Sequence, residues 1–166
     1  MNYISKYKSP VGNLTIASDG EGIIGLWLEG QKYYASTLGD DFFEGNDLEV
    51  FHKTKEWLDK YFVGQDPRIT LFLDLKGSEF RKKIWEILLD IPYGKLTTYS
   101  EVAKTYEEIT GKKTSPRAVG GAVGHNPISI IIPCHRVVGA KGSLTGYAGG
   151  IDKKTWLLQH EKAILI

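Results

Sequence analysis

Three short runs near the N-terminus, NYISKY (2–7), NLTIAS (13–18) and GIIGLWL (22–28), hold apolar residues at alternating or consecutive positions and are separated by SPVG and DGEG. That pattern predicts β-strands joined by tight turns, as two hairpins or a three-stranded meander. In LEVFHKTKEWLDKYFVG (48–64) the spacing changes. Val50, Phe51, Lys55, Trp57, Leu58, Tyr61 and Phe62 recur near the helical period, so one amphipathic helix closing on Gly64 is expected to cover the sheet. ITLFLDL (69–75) reads as a further strand, and the polar stretch at Lys76-Gly77 as a linker.

Beyond the linker helical spacing dominates. Ser78 is placed to cap a helix with Phe80, Ile84, Trp85, Leu88 and Leu89 on one stripe, ending at IPYGK (91–95). Thr98 followed by Glu101 is a capping-box pair opening a helix with Tyr99 in its first turn and Val102, Ala103 and Tyr106 on one side. Pro116 suits the first position of the next helix, PRAVGGAVG (116–124), and Asp152 the N-cap of a last one, DKKTWLLQHE (152–161). The expected fold is an α/β N-terminal domain over residues 1–75 and a mainly α domain over 76–166 with helix-turn-helix order.

Charge divides along the same line. The net value of +1 conceals residues 1–75 at seven Lys/Arg against twelve Asp/Glu, net −5, and residues 76–166 at fourteen against eight, net +6. The basic half is where a polyanion would dock, unless the excess is only a solvated face. A chain of 166 residues that is 42% hydrophobic can build its core without staples, and its one cysteine, unable to form an intrachain disulfide, suits a reducing cytoplasm. MNYISKYKSP lacks the apolar core of a signal peptide, and no run approaches the length of a membrane span.

The single thiol lies in IIIPCHRVV (130–138). Apolar flanks fit a small buried hydrophobe, whereas Pro133 stops a strand, and His135 and Arg136 supply the cationic surroundings that lower a thiol's pKa. A nucleophilic Cys134 needs a base. Adjacent side chains in an extended strand point to opposite faces, so a turn or a bridging water must come between Cys134 and His135. In the last helix Leu157, Leu158 and Glu161 share a face, which puts a carboxylate on an apolar stripe; its partner is either a histidine or a lysine near a frayed end. Gly120 and Gly121 inside a helix each cost about 1 kcal/mol relative to alanine. Either that helix packs tightly within the fold, or Ala118, Gly120, Gly121 and Ala122 let it approach a partner, with Arg117 as its one long cation.

IPCHRVV, preceded by RAVGGAVGHNP and followed by GYAGG and WLLQHE, resembles the O6-alkylguanine-DNA alkyltransferases through almost all of residues 76–166. The N-terminal part is similar to that family's ribonuclease-H-like domain in element order, and the C-terminal part to its winged helix-turn-helix domain. The resemblance implies direct repair of double-stranded DNA. Cys134 matches the alkyl acceptor, His135 the base acting through water, Glu161 the carboxylate orienting it, and Asn126 the organiser of the active-site turn. Tyr99 matches a tyrosine that crowds a DNA phosphate and donates toward the guanine ring, and Arg117 the arginine that replaces the flipped nucleotide. Ala118, Gly120, Gly121 and Ala122 match the minor-groove helix, with Arg136 also expected at the DNA. Ser129, Val137, Val138, Tyr147 and Ala148 are expected to line the substrate pocket.

The reaction so implied is a single displacement leaving an S-alkyl cysteine that no second thiol can restore, carried out by a cytoplasmic monomer without a cofactor. This sequence departs from the family pattern by about one extra helical turn between Tyr99 and Arg117. It also has Ser129 where some members have proline and Ala148 where some have serine, which leaves open the size of alkyl group accepted; activity on O4-alkylthymine is open independently of these positions. His52 is the only Cys or His candidate in the N-terminal part, so no structural zinc is expected there. Two other classes fit parts of the chain: a non-catalytic binder of alkylated DNA, which Cys134 argues against, and a thiol redox sensor, which lacks a resolving cysteine.

Overall fold

Alternation and turn chemistry produce the expected meander. In the computed structural model, which describes residues 1–31, 41–45, 47–68, 70–144 and 147–164, strands β1 (Asn2–Ser9), β2 (Gly12–Ser18) and β3 (Ile23–Leu28) pair antiparallel in sequence order. A short strand that the pattern did not predict, β4 (Phe42–Glu44), adds parallel to β1, giving the order β3-β2-β1-β4. ITLFLDL does not form the expected strand. Among its described residues only Leu73 bridges, to Ile23, with Ile23 N–H bonded to the Phe72 carbonyl; Ile69 lies outside the described residues. Helix α1 (Glu49–Phe62) packs on β1 and β2 through Val50, Phe51, Thr54, Trp57, Leu58 and Tyr61, and Tyr7 Oη donates to Asp59 at 2.6 Å. All six residues of β3 are buried, and a Cβ at Gly25 would stand 2.0 Å from the Trp27 ring, so that glycine is required by packing.

The chain divides into two compact units, Met1–Lys76 with Pro127–Ser129, and Gly77–Asn126 with Ile130–Ile166. The second unit is mainly helical: α2 (Glu79–Leu89), α3 (Tyr99–Thr110), α4 (Pro116–Gly124) and α5 (Ile151–His160), with a parallel pair β5 (Thr97–Thr98) and β6 (Val137–Val138). Ser78, Thr98 and Ser115 each accept the N–H three residues on, fixing the starts of α2, α3 and α4. Only half of the capping box forms, because the Glu101 carboxylate accepts from Thr97 Oγ1 at 3.1 Å. Gly111 closes α3 in the left-handed region, φ 72. Trp85 Nε1 donates to the Ala122 carbonyl at 2.8 Å and ties α2 to α4. Helix α5 begins earlier than expected: Gly150 is its N-cap, and Asp152 lies inside the first turn, where its charge favours the helix dipole. Among the described residues no helix is long and apolar enough to cross a membrane.

Candidate active site

The segment that leads to Cys134 is a chain of turns, despite three consecutive isoleucines. Ile130 takes φ 73, a conformation that β-branched residues rarely adopt. Asn126 Nδ2 donates to the Ile132 carbonyl at 2.9 Å, holding the two ends of this turn together. The Cys134 N–H reaches the same carbonyl at 2.7 Å across Pro133, whose φ −81 and ψ 61 are those of an inverse γ-turn. Cys134–Arg136 then form one 3-10 turn that runs into β6. A turn therefore separates Cys134 and His135 from strand geometry, as their proximity requires.

Glu161 caps the C-terminus of α5, and its buried carboxylate settles the partner question in favour of histidine. Oε2 lies 2.6 Å from His135 Nε2, while Oε1 accepts from Arg136 Nε at 2.7 Å and from the Gly94 N–H at 3.3 Å. Burial pushes this carboxyl up, but hydrogen bonds from His135 and Arg136 and the charge of Arg136 outweigh it and hold it ionised, well below the usual carboxylate range. His135 is held neutral mainly by its own burial, aided by the Arg136 and Lys154 cations, against the pull of Glu161. With Nε2–H given to Glu161, the lone pair is on Nδ1. That buried atom has no hydrogen-bond partner among the described residues, which leaves it free to take a proton.

Burial pushes the Cys134 thiol up to about 11, opposed by a hydrogen bond from the Asn126 side chain, the charge of Lys154 and the N–H groups of Cys134 and His135. Tyr99 is the first residue of α3 and half-buried. Its pKa is raised by burial and by the charge of Cys134, so its hydroxyl remains a donor. Tyr147 sets its ring edge-on to His135 with centroids 6.5 Å apart. Lys154 was not expected. It precedes Leu157, Leu158 and Glu161 by three, four and seven positions, the face rule that singled out Glu161, and it is just as buried.

Helix α4 turns Val119, Ala122 and Val123 inward and leaves Arg117, Ala118 and Gly121 exposed. Ala122 is thus removed from the expected contact face. A Cβ at Gly121 would meet nothing within 4 Å, and one at Gly120 would lie 3.9 Å from the Tyr99 ring, an ordinary contact. Unlike Gly25, these glycines are not demanded by packing, so the tight-packing reading fails. Arg136 is also corrected. Expected at the DNA from its charge, its side chain is buried against Glu161, donates through Nη1 to the Ile91 carbonyl at 2.7 Å and lies over the Tyr93 ring. Of the expected pocket residues, Val137 and Val138 are buried and paired to Thr97 and Thr98, and Ala148 is half-buried. Ser129 belongs to the first unit, where its Oγ donates to Gln31 Oε1 at 3.1 Å. Gly146 of GYAGG lies outside the described residues.

Residues 79–163 match the family profile described as the DNA binding domain of 6-O-methylguanine DNA methyltransferase, and residues 2–75 match that of its ribonuclease-like domain. The chain belongs to the 6-O-methylguanine DNA methyltransferase family. A methylated-DNA–protein-cysteine methyltransferase of Mycobacterium tuberculosis is 42% identical over 93% of this chain and 89% of its own. The Haemophilus influenzae protein of the same name is 43% identical over 96% and 86%. Among solved structures, M. tuberculosis OGT in complex with DNA superposes with a TM-score of 0.85 at 39% identity, covering 97% of this chain and 93% of that one. An O6-methylguanine DNA methyltransferase from Methanococcus jannaschii does so at 0.67 and 32%, covering 98% and 95%. For a 6-O-methylguanine DNA methyltransferase, the arrangement joins a buried thiol, a neutral imidazole held by an ionised carboxylate, a tyrosine hydroxyl, and a helix with an open small-residue face.

Proposed function

We propose that this protein repairs alkylated DNA by transferring a methyl or other alkyl group from guanine O6 in a duplex to Cys134, once per molecule. The observation that carries this reading is the Cys134 turn beside a neutral His135 whose Nε2 is held 2.6 Å from the buried Glu161 carboxylate. His135 Nδ1 takes the thiol proton through a water, and Glu161 stabilises the imidazolium that forms. The thiolate then bonds to the alkyl carbon as the carbon–O6 bond breaks, its electron pair leaving with guanine. Tyr99 steadies the departing base by a hydrogen bond, and Asn126 holds the turn. The product is a thioether.

Docking follows from α4. Its exposed small residues can lie against the minor groove, Arg117 can take the place of the extruded nucleotide, and basic residues of the second unit can bind phosphates, making affinity salt-dependent. The DNA-bound M. tuberculosis relative supports this use of the fold. In this reading the first unit is ribonuclease-H-like, the second a winged helix-turn-helix, with domains at 1–75 and 76–166. Val137, Val138, Tyr147 and Ala148 line the base pocket, and the protein works as a cytoplasmic monomer. Intact mass after mixing with O6-methylguanine duplex tests the whole scheme: a gain of one methyl is expected, and an unchanged mass would leave only a binder.

Two substitutions test parts of it. Tyr99→Phe should slow single-turnover transfer about tenfold with duplex affinity nearly unchanged, since a hydrogen bond of about 1.4 kcal/mol is lost mainly in the transition state. An unaltered rate would remove the tyrosine from the mechanism. Gly121→Ala should leave stability equal or raise it by up to about 1 kcal/mol, because the site is helical and open. Gly121→Leu should keep the fold and weaken duplex binding at least tenfold in an anisotropy titration. Equal affinities for all three proteins would separate α4 from the groove.

A further inference from the structure

The first unit carries a cationic groove that alkyl transfer to Cys134 leaves unused. It lies between α1 and the segment 67–71 and encloses about 420 Å³. Lys53, Trp57 and Lys60 recur at the helical period, so one side of α1 presents all three to the groove. Arg68 and Thr70 line it from the other segment, with Pro67 and Leu71 as apolar walls.

Positive charge gathers there against the trend of the unit. Residues 1–75 hold seven Lys/Arg and twelve Asp/Glu; three of the seven, including the only arginine, line the groove, against one carboxylate of the twelve, Glu56. Lys60 pairs with Glu56 at 3.2 Å along α1. Lys53 and Arg68 form no ion pair among the described residues, which leaves the groove two cations without an anion.

Exposed cations alone would be a solvated face, but Trp57 sets this one apart. Its side chain is in the wall of the groove, only 7% exposed and stacked on Tyr61 with centroids 5.6 Å apart. Its buried Nε1–H has no hydrogen-bond partner among the described residues. Nearly all buried donors are paired, because an unpaired one has lost its water and gained nothing. Lys53 and Lys60, about one turn to either side of Trp57, are exposed and flexible, so a small acceptor can displace them to reach that N–H.

We propose that this groove binds a small phosphorylated molecule, its phosphate held by Lys53 and Arg68 with the Trp57 N–H as a further donor. A phosphate monoester carries about −1.5 to −2 charges at neutral pH, which two unmatched cations balance, whereas one carboxylate would leave a cation over. The planar guanidinium of Arg68 can bond two phosphate oxygens at once. The groove's size suits a compact ligand. A long polyanion such as duplex DNA is disfavoured, since it would extend over the rest of a unit whose residues 1–75 carry a net charge of −5.

Proton–nitrogen NMR of the whole protein reads this site directly, because the chain has four tryptophans and therefore four indole N–H groups. Titrated with adenosine 5′-monophosphate at constant ionic strength, the Trp57 indole proton should move downfield and saturate, with a Kd of about 1 mM or tighter. The Trp85 indole, already bonded to the Ala122 carbonyl, should stay in place. Inorganic phosphate should bring about the same shift more weakly, and adenosine none. Arg68→Ala and Lys53→Ala, both at exposed positions, should each weaken binding at least tenfold. A Trp57 signal that stays fixed at millimolar nucleotide, an equal shift with adenosine, or unchanged affinity in both variants would overturn the proposal. Duplex DNA shifting Trp57 at lower concentration than the nucleotide would also overturn it, in favour of a polyanion site. None of these measurements involves Cys134, so the groove stands or falls apart from the repair reading.

Discussion

Cys134→Ala is expected to abolish methyl transfer while leaving duplex affinity within about twofold, because in the proposed reaction the thiol supplies the bond-forming atom and the exposed face of α4 the docking. The unmodified protein should show the complementary behaviour. Mixed with excess O6-methylguanine duplex, it should produce repaired DNA equal to the active protein and then stop, with the methyl on the peptide containing IIIPCHR. A thioether is a poor leaving group and this chain has no second thiol, so nothing within it regenerates Sγ. Added reducing agent should not restart the reaction, since thiols cleave disulfides and not unactivated thioethers. Turnover beyond one equivalent, a methyl on another residue, or residual transfer by Cys134→Ala would each refute the stoichiometric scheme.

What the sequence made legible follows the physics of each signal. Alternation and turn residues located β1 to β3, and capping residues located α2, α3 and α4, because these are local preferences that the rest of the fold did not oppose. Strand β4 was not legible: three exposed residues pair with β1 across a long sequence gap, and no alternation marks them. ITLFLDL has the composition of a strand, but whether an apolar run pairs along its length depends on a neighbouring edge that composition does not reveal. At the site, helix facing found Glu161, and the same rule applied to Lys154 would have found the buried ammonium. Arg136 was misassigned for the opposite reason. A basic residue in a basic half suggests a polyanion, and only the third dimension shows that its charge is already matched by Glu161. The turn at Ile130 could not be read from residue preferences, which favour a strand there; the resemblance of IPCHRVV supplied the nucleophile's role, and the geometry supplied its means.

Glu161→Gln is the other substitution with a large expected effect, and it should act on rate and stability together. The amide can still accept from His135 Nε2–H, but it cannot balance the imidazolium formed when Nδ1 takes the thiol proton, so transfer should slow on the order of a hundredfold or more. It also leaves Arg136 buried without its counter-ion, at a cost of about 3 kcal/mol. The pH dependence separates the two groups. Glu161 is held well below the ordinary carboxylate value of about 4.3, so as pH falls the unfolded chain binds that proton first, and the carboxylate's contribution, complete above this range, is lost as acidification proceeds. His135 is held neutral below its ordinary value of about 6.5, so the unfolded chain again binds the proton first, and stability begins to fall below that pH. Urea unfolding across a pH series should therefore show the unmodified protein losing stability below about pH 6.5 and further through the carboxylate range. Glu161→Gln should start lower, keep the histidine-linked decline and lose the Glu161 contribution to the second. A variant with an unchanged transfer rate and the same acid profile would mean that Glu161 neither orients the base nor holds Arg136 in place.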